Sequence, residues 1–102
     1  MIRLVEDNRE RLAALCARYG VQRLELFGSA TNERFDPQHS DLDFLVTFRD
    51  PPPEGWFDAY FGLLHALEDL FQRRVDLVVE SAITNPYFIQ SIARTRTLLY
   101  AA

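Results

Sequence analysis

The chain has 102 residues, 48% hydrophobic and 25% charged, with 4 glycines and 5 prolines; that length suits one compact core, so a single domain over residues 1–102 is expected. The composition excludes collagen, low-complexity disorder and a disulfide scaffold. Its 15 acidic and 11 basic residues give a formal charge of -4, the wrong balance for gripping long nucleic acid by its phosphates, though not for a single nucleotide neutralised by metal ions.

The opening residues Met1-Ile2-Arg3-Leu4-Val5-Glu6-Asp7 turn charged too soon for a secretion signal. No apolar run reaches the ~18–20 residues that span a bilayer. A cytoplasmic protein without membrane contact is the expectation. From about Asp7 to Tyr19 the spacing predicts an amphipathic helix with Leu12, Leu15, Cys16 and Tyr19 on one face. Cys16 is the one cysteine, which excludes an internal disulfide and suits a small apolar core residue. Gly20 is a natural left-handed stop. Val21 to Phe27 alternates as a strand, with Val21, Arg23, Glu25 and Phe27 on one side and Gln22, Leu24 and Leu26 on the other. Gly28-Ser29-Ala30-Thr31 breaks that strand and can open a helical turn. Asn32 to Ser40, polar and containing Pro37, reads as a surface loop.

Asp41 to Phe48 is the second predicted strand, with Leu42, Phe44, Val46 and Phe48 on one face and Asp41, Asp43, Leu45 and Thr47 on the other. Pro51-Pro52-Pro53 ends it. Roughly Trp56 to Phe71 follows as a helix, then Val75 to Glu80 as a strand with Val75, Leu77 and Val79 inward and Asp76 and Glu80 turned away. Asn85-Pro86 is an N-cap with proline in the first turn. The short helix after it is expected to bury Phe88, Ile89 and Ile92, and Leu98-Leu99-Tyr100 to form an edge strand. The order predicts an α+β (α/β) fold, a mixed β-sheet of three to four strands packed by helices.

Asp41 and Asp43 are two residues apart on a strand, so their carboxylates leave the same face roughly 6–7 Å apart. Like charges there repel and gain nothing for folding, whereas a hard divalent cation such as Mg²⁺ takes oxygen ligands of this kind. Asp76 is a third acid inside an apolar strand. If that strand neighbours the second, three carboxylates meet, enough to bridge two cations ~3.5–4 Å apart as in phosphoryl or nucleotidyl transfer. The structural alternative stays open: an Asp-x-Asp pair also caps loops or faces water, and Asp76 could point outward from an edge strand. Glu25, Glu33, Asp36, Asp50 and Glu80 are expected to be solvated. Gly28-Ser29 after a strand permits close approach of a phosphate to backbone N–H groups and a hydroxyl, although such a pair is more often a simple turn.

Taken together, Leu26-Phe27-Gly28-Ser29, Ser40-Asp41-Leu42-Asp43-Phe44-Leu45-Val46 and Val75-Asp76-Leu77-Val78 resemble the minimal nucleotidyltransferase (MNT) family of the DNA polymerase beta-like nucleotidyltransferase superfamily. The resemblance spans nearly the whole chain, including the Asn85-Pro86 segment and the Leu98-Leu99-Tyr100 ending. It implies a nucleotidyltransferase fold in which Gly28, Ser29 and Ser40 hold the nucleoside triphosphate. Asp41, Asp43 and Asp76 would ligate the metal, two Mg²⁺ ions in the family's manner, and Asp76 would help deprotonate the attacking hydroxyl. The implied reaction moves AMP from ATP to an acceptor hydroxyl and releases pyrophosphate. Two departures stand out. The stretch from Ser29 to Asp41 is one residue longer than the commonest form, and the arginine–glycine pair that often follows Gly-Ser is replaced by Ala30-Thr31-Asn32-Glu33-Arg34-Phe35, where Arg34 could supply a shifted charge.

His39, beside Ser40-Asp41, could touch phosphate or metal but reads first as a surface loop residue; His65 sits in a helix without a role, and Tyr100 reads as core before acceptor. A chain this short leaves little room for an acceptor pocket. The resemblance implies a HEPN-type helical partner, a toxin to which this chain would be the antitoxin, neutralising it by adenylylating a hydroxyl. The alternative is a catalytically silent module that neutralises the partner by association alone. A small-molecule transferase like the aminoglycoside-modifying relatives ranks lower, because it calls for an added acceptor domain.

Overall fold

A computed structural model of the protein describes residues 2–31, 36 and 40–102; the expectations for Arg34, Pro37 and His39 lie outside those residues. The helix predicted from Asp7 to Tyr19 is α2 (Arg9–Arg18), and a single turn that the spacing did not predict, α1 (Arg3–Glu6), precedes it. The break falls at Asp7-Asn8, where Asn8 Nδ2 donates to the Leu4 carbonyl at 2.8 Å. A side chain that bonds nearby backbone competes with helix continuation, which is why an asparagine marks the junction. Leu12 and Cys16 are buried and Leu15 and Tyr19 pack against them, the face the spacing predicted. Gly20 adopts φ 70°, and a Cβ there would lie 2.5 Å from Pro53. The left-handed stop and the close proline both require glycine.

Strand β1 (Val21–Phe27) leads into a 3₁₀ turn at Gly28–Thr31. Then come β2 (Leu42–Phe48), α3 (Trp56–Phe71), β3 (Val75–Val79), a 3₁₀ turn at Glu80–Ala82, α4 (Pro86–Ala93) and β4 (Thr97–Ala101). The four strands form one mixed sheet in the order β3-β2-β1-β4. β1 runs antiparallel to both β2 and β4, while β2 and β3 are parallel with α3 between them in the chain. The edge strand predicted at Leu98-Leu99-Tyr100 is therefore β4.

One face of the sheet is covered by α2 and α3. Leu24 and Leu26 of β1, Leu42, Phe44 and Val46 of β2, and Leu63, Leu67 and Phe71 of α3 build the main core, with the Phe44 and Phe71 rings stacked at 5.9 Å. Tyr60 pins α3 to β3 by donating its hydroxyl to the Leu77 carbonyl at 2.6 Å. The opposite face carries a smaller cluster of Phe27, Leu45 and Ile92, packed by Val78 and Ile83. This second face is where two expectations change.

Asn85 does cap α4, its Oδ1 accepting from the Tyr87 N–H at 2.9 Å, with Pro86 at the first position. Yet Ile92 alone of the three predicted residues is buried; Phe88 and Ile89 stay 38% and 47% exposed. An eight-residue helix lying over part of a sheet meets it along one narrow line, so the rest of its apolar stripe faces solvent. Glu25, expected to be solvated, is 3% exposed. The turn after α4 folds over it: Arg96 Nε donates to Oε2 at 2.7 Å and Arg96 Nη2 to Oε1 at 2.6 Å, while Arg23 Nε donates to Oε1 at 2.8 Å. Glu80, also expected to be solvated, completes the network through Arg96. No helix among the described residues is long and apolar enough to cross a membrane.

Candidate active site

The second face of the sheet is organised in rows set by strand register. Asp43 of β2 stands beside Asp76 of the parallel β3 on one side and beside Phe27 of β1 on the other. Register partners on neighbouring strands are about 5 Å apart and project to the same face. Asp41 lies just before β2, two positions from Asp43, close enough for its charge to act on the Asp43 carboxyl. The sequence could not say whether Asp76 joined the pair, since that depends on which strand β3 borders. Parallel pairing of β2 and β3 brings the three acids together.

The electrostatic consequence falls on Asp43. Its carboxyl is pushed up to about 6, first by burial and then by the charges of Asp76 and Asp41. Asp76 also acts across the helix contact, adding to burial in raising the Tyr60 phenol. The three carboxylates do not close into a cage: among the described residues, no group of three His, Cys, Asp or Glu side chains stands ready to hold a metal ion. Their oxygen chemistry suits a hard divalent cation, whose charge would relieve the conflict that Asp43 records.

Next to the acids the 3₁₀ turn begins. Gly28 has φ 79°, and a Cβ on it would lie 2.4 Å from Asp43 Oδ2, so only glycine lets the carboxylate rest against this backbone. The Gly28 N–H is already engaged, donating to Thr95 Oγ1 at 2.9 Å. Gly28 thus contributes close approach, while the hydroxyl of Ser29 remains a donor for a ligand.

Gly28, Ser29 and Asp43, with Phe27, form one wall of an open cavity of about 420 Å³. Ser91, Arg94 and Thr95 form the other wall. These three residues were missed in the sequence, because nothing in a short helix and its exit turn announces that it crosses back over the first strand. The edge-on contact of Phe27 with Phe88, 6.1 Å between centroids, helps hold α4 there. Ser40 does not line this cavity. Its hydroxyl accepts from the Asp36 N–H at 2.9 Å and its N–H donates to the Asp36 carbonyl at 2.8 Å, closing a local loop.

The arrangement, a glycine-serine turn beside three acids and a polar cavity, has counterparts among known proteins. A nucleotidyltransferase domain profile matches residues 9–99. A Methanocaldococcus jannaschii chain named "Putative protein adenylyltransferase" is 39% identical over 85 residues, covering 82% of each chain. Among solved structures, one of a "putative minimal nucleotidyltransferase" is 32% identical with a TM-score of 0.72, covering 91% of this chain and 90% of the other. An MNT antitoxin in complex with tri-AMPylated Shewanella oneidensis HEPN toxin gives a structural match with TM-score 0.66 at 20% identity, covering 96% of this chain and 73% of that one, a likeness of fold.

Proposed function

Because the chain belongs to the nucleotidyltransferase domain family, we propose that it transfers AMP from ATP to a hydroxyl of a partner protein. The observation that carries this reading is the pair Asp43–Asp76 on adjacent strands, with the Asp43 carboxylate set directly against Gly28. In the reaction the acceptor oxygen attacks the α-phosphorus, the bond from that phosphorus to the bridging oxygen breaks, and pyrophosphate leaves with it. Asp41, Asp43 and Asp76 are the residues that would hold Mg²⁺, which supplies charge neutralisation for the triphosphate and a lowered pKa for the attacking hydroxyl. Asp76, the most exposed to an incoming acceptor of the two paired acids, takes the hydroxyl proton in this scheme. Ser29 donates to the phosphates, and Gly28 lets them approach.

The acceptor follows from the relatives. The archaeal relative's name specifies protein as its acceptor, and the Shewanella complex joins an MNT antitoxin to an AMPylated HEPN toxin. A HEPN-type helical protein is accordingly the partner we assign, with this chain as its antitoxin in the cytoplasm and residues 1–102 acting as one minimal domain. The exposed aromatics Trp56, Phe57 and Phe61 on α3 provide apolar surface of the kind such a partner covers.

The test is incubation with the partner, Mg²⁺ and ATP labelled at either the α- or the γ-phosphate. Label from the α-position alone should appear on the partner, and Asp43→Asn should abolish it. A partner that is neutralised equally well by Asp43→Asn, without label, would establish the silent binding module instead.

A further inference from the structure

We propose that Arg94 is the cation that binds the triphosphate tail, and that the turn Arg94-Thr95-Arg96 is built to place it opposite Gly28-Ser29. The inference deepens the adenylyl-transfer reading above and rests on it for the ligand. A triphosphate brought to this cavity meets the negative charge of Asp43 and its neighbours on one wall. The Gly28 N–H, which would be the nearest neutral donor, is bonded to Thr95. Among the described residues lining the cavity, Arg94 is the one basic side chain.

Arg94 and Arg96 are two residues apart and differently employed. The Arg96 guanidinium is consumed by a two-point contact with the buried Glu25 and a further contact with Glu80. Arg94 is exposed and forms no ion pair with any described residue. Between them Thr95 holds the Gly28 N–H through its hydroxyl. The turn is therefore fixed at two points, on β1 through Glu25 and on the Gly28 backbone through Thr95, and the residue preceding both presents a free guanidinium to the cavity. Ser91, one helical turn earlier on the same wall, adds a hydroxyl. A planar guanidinium with several N–H donors matches phosphate oxygens. Arg94 is thus a binding residue, while Thr95 and Arg96 are positioning residues.

The experiment is a calorimetric titration of the whole chain, in Mg²⁺, with α,β-methylene-ATP, whose α–β bridge is not cleaved, and separately with inorganic tripolyphosphate. Arg94→Ala should weaken both ligands by about 10- to 100-fold, the scale of a lost charge-assisted contact, and Arg94→Lys should recover part of the loss. Because Arg94 is exposed and unpaired, melting by circular dichroism should be unchanged. For Thr95, Thr95→Val should weaken both ligands and Thr95→Ser should restore them, since serine keeps the acceptor for the Gly28 N–H. The proposal is overturned if Arg94→Ala binds both ligands as tightly as the unaltered protein, or if the unaltered protein binds neither. Binding that depends on Arg94, in a protein that adenylylates nothing, would uphold the proposal and defeat the transfer reading.

Discussion

The Cα of Gly28 faces the carboxylate of Asp43 so closely that a Cβ would stand 2.4 Å from Oδ2. This contact joins the Gly28-Ser29 turn to Asp43, and it has a measurable consequence. Gly28→Ala must either displace Asp43 or shift the backbone, at a φ of 79° that side chains disfavour. The strain costs about 1–2 kcal/mol of stability, but a misplaced carboxylate of roughly 1 Å costs about 100-fold in rate. Label transfer to the partner should therefore fall far more than the melting temperature, and comparing the two separates a site effect from a folding effect.

Asp43 works against folding when no cation is present. Its carboxyl is held up to about 6, above its usual 3.8, so the folded state binds the proton more readily than the unfolded one. By linkage, stability contributed at this site is full below about pH 4 and declines as pH rises through about 6. Asp43→Asn removes that loss, and in chelator at pH 7 it should be more stable by about 1–2 kcal/mol, discounted for partial exposure. Denaturant melts in chelator check this, and added Mg²⁺ should narrow the difference by stabilising only the unaltered protein.

Glu25 has the opposite sign. The Arg96 hydrogen bond, with help from Arg23, lowers its carboxyl below the ordinary range against the opposing effect of burial. Its contribution is present above the unfolded value near 4.5 and is lost as pH falls through the lower folded value. Arg96→Ala leaves this buried carboxylate with Arg23 as its partner and should cost about 2 kcal/mol. Melts of that variant between pH 7 and pH 3 should show the deficit shrinking toward the acid end, where the carboxyl is neutral in both proteins.

Cys16 is fully buried and its thiol is pushed up to about 12 by that burial. Since the thiolate is the reactive form, a disulfide-exchange reagent at pH 8 should leave the native protein unlabelled and react only on unfolding. Prompt labelling without denaturant would contradict the core position of α2.

The strands and α3 were legible because their sequences carry strong periods: β1 at Val21–Phe27 and α3 at Trp56–Phe71 fall where alternation and helical spacing put them. Asp41 and Asp43 could be placed on one face by the same alternation. Asp76 could not, because strand adjacency is a tertiary fact. Glu25 was misread for a related reason: alternation assigns its side of the strand but not what covers that side, and the cover comes from Arg96, distant in sequence. Phe88 and Ile89 were misread as core because helical spacing shows an apolar face without showing how much sheet lies beneath it. Ser91, Arg94 and Thr95 carry no local signature at all.

The strand order β3-β2-β1-β4 means that β1, an early strand, waits for the last strand of the chain to become its second neighbour. The bond from Gly28 to Thr95 and the clamp of Arg96 on Glu25 tie the segment leading into β4 back to β1. A cut before Thr95 would remove the hydroxyl that holds the Gly28 N–H and the guanidinium that covers Glu25, and would leave β1 with one neighbour in place of two.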